Sequence, residues 1–280
     1  MKKRLFALIL GFLLVHFFAL TSWAGIRIDK PKIRVSAKPG SYDSGEIEVE
    51  NIGAEAASIK VYLEDWVYSQ QDGVKEFMPK ATTPLSCANW INFYPADFTL
   101  SPGREQIVRY TVNIPDDAKG GHVAVMFFET GGDNIAGVND QGNSVIVKVT
   151  NRLGALFYAE PAGTIQKTGQ LKDLDIMQKL DNIIVSANFI NTGNTDIAVS
   201  GTFNIIDDQG LVYARGQFDD AYTLPKDKIS LRAVAPSTNL KSGAYDLLLT
   251  LEFQNGGTLV QEAHFTVASS GAIEAVTIKN

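Results

Sequence analysis

Apolar and polar side chains alternate with a period of two along most of the chain after residue 25. Successive side chains of a β-strand point to opposite faces, so this period predicts strands, whereas a helix would repeat every ~3.6 residues. The runs are rich in β-branched and aromatic residues and lie at 45–51, 58–66, 105–114, 122–129, 144–151, 182–191, 197–207, 210–218, 228–235, 244–253 and 258–267. Residues 171–180 fit either a helix or a strand interrupted by a bend. The pattern predicts an all-β protein built as a β-sandwich.

Two phrases of this pattern occur twice and in the same order. "VENIGAEAASIKV" (49–61) has a counterpart in "FINTGNTDIAVSG" (189–201), each with an Asn-x-Gly turn between two strands. The segment 99–129 has a counterpart in 223–253, and each copy runs through a proline-containing turn, a strand and a long apolar strand. We therefore predict two immunoglobulin-like β-sandwich domains in tandem.

The boundary between the sandwiches is expected near Pro161, after the last strand of the first one. The predicted domains are 25–161 and 162–270, with 271–280 as a C-terminal tail. The first domain also has a longer connection at 69–95, which we expect to form an extra hairpin or an ordered loop.

The N-terminal residues have the composition of a secretory signal peptide. Basic residues at 2–4 precede an apolar run from Leu5 to Leu20, and Ser22-Trp23-Ala24 predicts removal of residues 1–24 by cleavage before Gly25. An uncleaved anchor is the alternative, but the run is short for a full membrane span. No later run is long and apolar enough to span a membrane, so we expect no integral membrane segment after cleavage.

Charge and composition disfavour several classes of function. The formal net charge is −6, and removal of the three basic residues makes it more negative, which disfavours nucleic acid and anionic membrane surfaces as partners. The single cysteine, Cys87, cannot form an internal disulfide, and we expect it as a buried thiol. After the signal peptide only His122 and His264 remain, and no catalytic or metal-binding motif is present, so we expect neither an enzyme nor a cofactor or metal site.

The order of motifs in the first domain resembles one family. The matching phrases are "IRVSAKPG", "GEIEVENIGAEAASIKVYLEDW" ending at Trp66, a hairpin through "DGVKEF", "LSPGREQIVRYT", "HVAVMFFE" and "VIVKVTNRLGALFYAEP". The most specific is Leu156-Phe157-Tyr158 before Pro161. Together they resemble the amino-terminal domain of the periplasmic chaperones of the chaperone–usher pilus pathway.

The resemblance implies two sandwiches set at an angle, with a cleft between them, in a protein of the periplasm. It also implies a mechanism, in which the chaperone lends an edge strand to a pilus subunit that lacks its last strand. Here that strand is 143–151, and Val145, Val147 and Val149 would fill the groove of the subunit. The implied partners are an exported pilin-like subunit and an outer-membrane usher.

The resemblance further implies a cleft that holds the terminal carboxylate of the subunit with two basic residues. Arg34 is the nearest candidate for one of them, with Lys32 as an alternate. The other stands directly before Leu-Phe-Tyr in the family, and here that position is Ala155. Arg152 is the nearest basic residue, but its odd offset on an extended strand places it on the face opposite to Ala155.

A second function class stays open at this point. The aromatic-rich connection 69–95 includes Trp90 and Tyr94, which could stack on a glycan, although core aromatics are the more ordinary interpretation. The alternative function is therefore a structural or adhesive Ig-like protein of the cell envelope, at the cell surface, that binds a protein or a glycan.

Overall fold

The computed structural model describes residues 25–69, 73–138, 141, 143–179, 182–236, 240–254 and 256–279, with the backbone alone described at 132–136, 138, 147–149 and 275. The predicted signal peptide lies outside these residues. No helix in this part of the chain is long and apolar enough to cross a membrane.

In the described part of the first half, ten strands form two facing sheets. The strands are β1 (Ile26–Ile28), β2 (Lys32–Val35), β3 (Tyr42–Asn51), β4 (Ala57–Tyr68), β5 (Lys75–Pro79), β6 (Ile91–Tyr94), β7 (Asp97–Leu100), β8 (Glu105–Asn113), β9 (His122–Val138) and β10 (Ser144–Ala159). One sheet has the order β1-β3-β8-β6, and the other has the order β2-β10-β9-β4-β5, with β7 also paired to β4. A short 3-10 turn, Ala88–Trp90, precedes β6.

Eight strands among the described residues of the second half form a second sandwich. They are β11 (Gly169–Lys179), β12 (Asn182–Asn191), β13 (Ile197–Asp207), β14 (Val212–Thr223), β15 (Lys228–Pro236), β16 (Gly243–Phe253), β17 (Thr258–Val267) and β18 (Ile273–Lys279). The sheet β11-β12-β15 faces the sheet β14-β13-β16-β17-β18 across an apolar core. The predicted fold class, two β-sandwiches, is confirmed.

In the second half, the structure resolves one open alternative of the sequence analysis and differs from one of its expectations. Of the segment 171–180, the described residues 171–179 fall in strand β11, whose pairing with β12 shifts register between Lys172 and Asp175, so the bent strand is the correct alternative. Residues 271–280 were expected as a tail, but Ile273–Lys279 forms β18 and pairs antiparallel with β17. Its few core contacts, through Ile273 and Val276, explain the weak sequence signal.

Strand β9 is apolar on both of its faces. Its even-numbered residues 124–128 face the core of the first sandwich, whereas its odd-numbered residues 123–127 pack outside that core. The outer cluster also contains Trp66 and Tyr158 from the neighbouring strands and Leu224 from the second sandwich. A strand apolar on both faces must be covered on both, so this run predicts a contact beyond its own sandwich.

A buried asparagine closes the repeated Asn-x-Gly turn of the first sandwich. The side-chain amide of Asn51 donates to the carbonyl oxygen of Glu55 (2.7 Å), and its Oδ1 accepts from the Gly53 amide (2.9 Å). The Asn51 amide donates to the Arg104 carbonyl (3.0 Å), and the Gly103 amide donates to the Asn51 carbonyl (2.8 Å). The first phrase is thereby joined to the Pro-Gly turn of the second.

The second sandwich repeats this arrangement bond for bond. The side-chain amide of Asn191 donates to the carbonyl of Thr195 (2.9 Å), and its Oδ1 accepts from the Gly193 amide (2.9 Å). The Asn191 amide donates to the Asp227 carbonyl (3.0 Å), and the Lys226 amide donates to the Asn191 carbonyl (3.0 Å). The phrases recur because each sandwich needs the same buried asparagine to satisfy the same turn.

Residues 81–86 of the long connection are held around one buried carboxylate. Asp65 is fully buried and accepts hydrogen bonds from the amides of Ala81, Thr82 and Thr83 and from the hydroxyls of Thr83 and Ser86. Burial alone would raise the pKa of Asp65, but the hydrogen bonds from Ser86, Thr83 and Ala81 outweigh it and hold the pKa below its usual value. After β5, the backbone of residues 81–83 turns around the Asp65 side chain and donates to it.

We predict that Asp65→Asn destabilises the protein at neutral pH by about 2–4 kcal/mol, because an amide cannot accept from all of these donors. Since the pKa is lower in the folded state, the stabilisation is fully present above the unfolded value near ~4 and is lost as the pH falls below that value and through the lower pKa of the folded state. Urea unfolding at pH 7 and at pH 3 should show a large difference between variant and wild type that narrows in acid. A constant difference would contradict the role of ionised Asp65.

Candidate functional site

The β9–β10 hairpin offers a strand edge that is free over most of its length among the described strands. Pairing between β9 and β10 runs from Ser144 opposite Val138 to Ala159 opposite His122. Strand β2 covers β10 only from Leu156 onward. Among the described residues, positions 144–155 of β10 therefore have a ladder partner on one side only, and their unpaired amides and carbonyls can pair with another strand.

The three predicted valines lie in this free part of β10. Val145, Val147 and Val149 pair with Gly137, Ile135 and Asp133 of β9, and positions 145, 147 and 149 share one strand face. The register shift after position 149 inserts its extra residue in β9, so the alternation of β10 is unbroken. The same face bears Ala155 and Phe157, which are buried in the sandwich core. Ile146, on the other face, is 75% exposed.

Arg34 is bound by two carboxylates of its own chain. Its guanidinium donates to both oxygens of Asp196 (3.0 and 2.8 Å) and to Glu160 Oε1 (2.6 Å). It also lies 4.7 Å from the centre of the Tyr158 ring. The pKa of Arg34 is raised, chiefly by the hydrogen bond to Asp196, although burial opposes this. Asp196 belongs to the second sandwich, so Arg34 joins the two sandwiches.

Lys32 lies beside Arg34 on the same face of β2. Its ammonium is 4.8 Å from the centre of the Tyr158 ring, and the residue is exposed. Within the described part of the chain it has no ion-pair partner. The two candidate cations therefore flank Tyr158. Arg34 is neutralised by carboxylates of this chain, whereas Lys32 is open to an external anion.

Arg152 lies apart from these two cations. Its guanidinium stacks on Phe127 (4.1 Å) and Phe77 (5.3 Å) and donates to Glu64 (3.2 Å). It is six positions before Tyr158 on β10, which corresponds to about 20 Å along a strand. Arg152 and Arg34 are therefore not brought together into one anchor.

Ala155 faces the core of the first sandwich and is fully buried. The outer face of β10 instead carries Leu156 and Tyr158, which belong to the outer cluster with Trp66. A basic residue at position 155 would therefore point into the core in this register.

Two adjacent glycines bring the sandwiches into main-chain contact. The Gly121 amide donates to the Asn194 carbonyl (2.7 Å), and the Gly120 amide donates to the Thr164 hydroxyl (3.0 Å). A Cβ atom at Gly120 would lie 2.5 Å from the Asn194 carbonyl oxygen, and one at Gly121 would lie 2.2 Å from the Thr195 hydroxyl. Neither position has room for a side chain.

Sequence patterns do not identify the groups that join the sandwiches. Asp196 and Glu160 read as ordinary surface acids, and Leu224 reads as part of a turn, because each becomes significant only through a distant partner. One sequence signal for this role of Asp196 exists, since 191–196 repeats a phrase of the first domain but ends in an acid.

Burial, with Asp196 nearby, raises the pKa of Tyr158 to about 12, so its ring stays neutral between the cations.

Three other singled-out residues are occupied in structural roles or lie at the surface. Cys87 is fully buried, and burial raises the pKa of its thiol, as expected for an inert cysteine. The ring of Trp90 contacts that of His122 at 4.3 Å between centres, which leaves less of the indole available for a ligand. Tyr94 is 78% exposed.

No protein-family model and no curated protein matches the chain. Among solved structures, a chain from a study of the chaperone–tip adhesin complex in CFA/I fimbriae biogenesis is 16% identical, covering 85% of this chain and 98% of that one, with a TM-score of 0.47. The class 5 fimbriae chaperone CfaA is 15% identical over the same shares, with a TM-score of 0.46. A chain of the Salmonella enterica SafA pilin–SafB chaperone complex is 11% identical, covering 88% and 98%, with a TM-score of 0.41.

We predict that Arg34 and Asp196 are energetically coupled. In a double-mutant cycle with Arg34→Ala and Asp196→Ala, urea unfolding should give a coupling energy of about 1–3 kcal/mol, because the pair is bidentate and largely shielded from water. The surface pair Arg27–Glu50 is the control and should couple far more weakly. Equal coupling energies in the two cycles would contradict the claim that the Arg34–Asp196 pair stabilises the protein more than a surface ion pair does.

Proposed function

We propose that this protein is a non-enzymatic chaperone that binds an exported, pilin-like subunit by adding strand β10 to the sheet of that subunit. The observation that carries the proposal is the free edge at 144–155, whose apolar positions 145, 147 and 149 continue the core-facing row of the same strand. The sequence resemblance to periplasmic pilus chaperones supports the same function.

Strand addition explains why an unpaired edge and a row of alternating valines occur in one strand. Unpaired main-chain groups supply hydrogen bonds to any incoming strand, and alternating valines select a partner whose groove accepts them. A slip by one residue would turn the valines away from the groove, so the apolar row also fixes the register. An edge with only one of these properties would bind without selectivity or would not bind.

For the terminal carboxylate of the subunit, we propose Lys32 as the first partner. Arg34 already binds Asp196 and Glu160, whereas Lys32 presents its ammonium beside the same tyrosine. Arg152 would contact the subunit farther along β10, as a cation stacked on Phe127.

The setting follows from the same proposal. A signal peptide at 1–24, cleaved before Gly25, would deliver the chaperone to the periplasm, with an outer-membrane usher as a second partner. The alternative, an adhesive protein at the cell surface, draws on the exposed rings of Tyr94 and Tyr42, which are 78% and 69% accessible. Retention in the periplasm of intact cells would exclude it.

The test compares the two faces of β10. Val145→Asp and Val147→Asp should each weaken binding of an exported subunit encoded near this gene by about 100-fold, because an unpaired carboxylate in an apolar groove costs at least ~3 kcal/mol. Ile146→Asp, on the opposite face and already exposed, is the matched control and should bind like wild type. Complex formation is measured by co-purification from the periplasm and by protease resistance of the subunit. Equal effects on the two faces, or none, would contradict strand addition by this edge.

A further inference from the structure

A cavity of about 420 Å³ lies where the two sandwiches meet. The first sandwich contributes the end of β4 with Val67 and Tyr68, and also Leu85 from the long connection. The second contributes the turn between β14 and β15, with Leu224, Pro225 and Lys226. This volume falls in the range of small-molecule sites, which favour junctions between domains and mainly apolar walls.

The long connection 69–95 builds one wall of this cavity. Thr83, Pro84 and Leu85 line it, and the amide and hydroxyl of Thr83 are held by the buried carboxylate of Asp65. The connection takes no part in the free edge of β10, so strand addition does not account for it. A wall fixed by a buried carboxylate is the kind of rigid support that a binding site requires.

Lys226 adopts a backbone conformation that a lysine rarely takes. Its φ is 75°, and the corresponding residue of the first sandwich is Gly103, with a φ of 68°. The two amides make the same bond, to the carbonyls of Asn191 and Asn51. Glycine would hold this turn without strain, so a lysine here is strained without any gain to the turn. Backbone strain of this kind concentrates at functional sites.

The charges around the cavity indicate which ligand fits. Lys226 is exposed, and among the described residues it has no ion-pair partner. Asp227 is occupied, since its carboxylate accepts from the Leu224 amide (2.8 Å). Glu76, also exposed, lies on the wall of the first sandwich and would disfavour a second negative charge on a ligand.

We propose that this junction cavity binds a small molecule with an apolar body and one anionic group, with Lys226 as the partner of the anion. The inference goes beyond the proposed chaperone function, because it assigns a ligand to a site away from β10. Both sandwiches line the cavity, so a bound ligand would restrain their relative movement.

The probe is 8-anilinonaphthalene-1-sulfonate, an aromatic monoanion whose fluorescence rises on binding, with dodecanoate as a competitor. We expect dodecanoate to displace the probe. Lys226→Gln should weaken probe binding by about tenfold through loss of a charge-assisted contact, whereas Lys226→Arg should change it by less than about threefold. Glu76→Gln should tighten it. Lys241→Gln removes an exposed lysine of the same domain and should leave binding unchanged.

Lys226→Gly separates a ligand role from a structural one. It should weaken probe binding as Lys226→Gln does, yet raise the melting temperature, because glycine relieves the strained φ. Leu85→Trp, which fills the cavity, should abolish binding. Equal probe affinity in wild type and Lys226→Gln, or a failure of dodecanoate to compete, would overturn the proposal. Subunit binding should be normal in Lys226→Gln, so failure here is distinguishable from failure of the chaperone function.

Discussion

The outer face of the first sandwich is too apolar to be left in water, and this constraint favours packing of the second sandwich against it. Trp66, Phe127 and Tyr158 lie outside the core of their own sandwich, and each is nearly or fully buried. Burial of aromatic side chains contributes about 25 cal/mol per Å² of apolar surface, so covering them is strongly favourable. Leu224 of the second sandwich covers part of this face. The polar contacts around it then fix the orientation that the apolar contact alone would leave open.

The polar contacts come from a loop that the chain builds twice. In the first sandwich the loop after Asn51 faces solvent, and Ile52 is 60% exposed. In the second sandwich the equivalent loop after Asn191 receives the Gly121 amide and supplies Asp196 to Arg34. The same hydrogen-bonded frame therefore serves as a surface turn in one copy and as a connector in the other. The difference lies in the side chains placed on the frame rather than in the frame itself.

Sequence reasoning was most successful where a local pattern has a single physical cause. The period of two predicted the strands and the sandwich fold, because an alternating strand has one solvent-exposed face and one buried face. It could not decide 171–180, since the bulge near Asp173 breaks the alternation, and it missed β18, whose core contacts are few. The sequence could offer Arg34, Lys32 and Arg152 as candidate cations, but it could not show which of them lie close together. Whether Ala155 faces the core, and which acids reach Arg34, depends on register and on partners more than a hundred positions away.

A small rotation at the paired glycines of the junction would move the end of the β9–β10 ribbon by a larger distance. The two sandwiches touch at Gly120 and Gly121 with no side chain between them. The far end of the ribbon lies many residues from this contact. A methyl group at either glycine would act as a wedge, and a tilt of a few degrees at the joint would be magnified at the ribbon tip. The direction in which the free edge points relative to the second sandwich therefore depends on these two glycines as well as on the contact between Arg34 and Asp196.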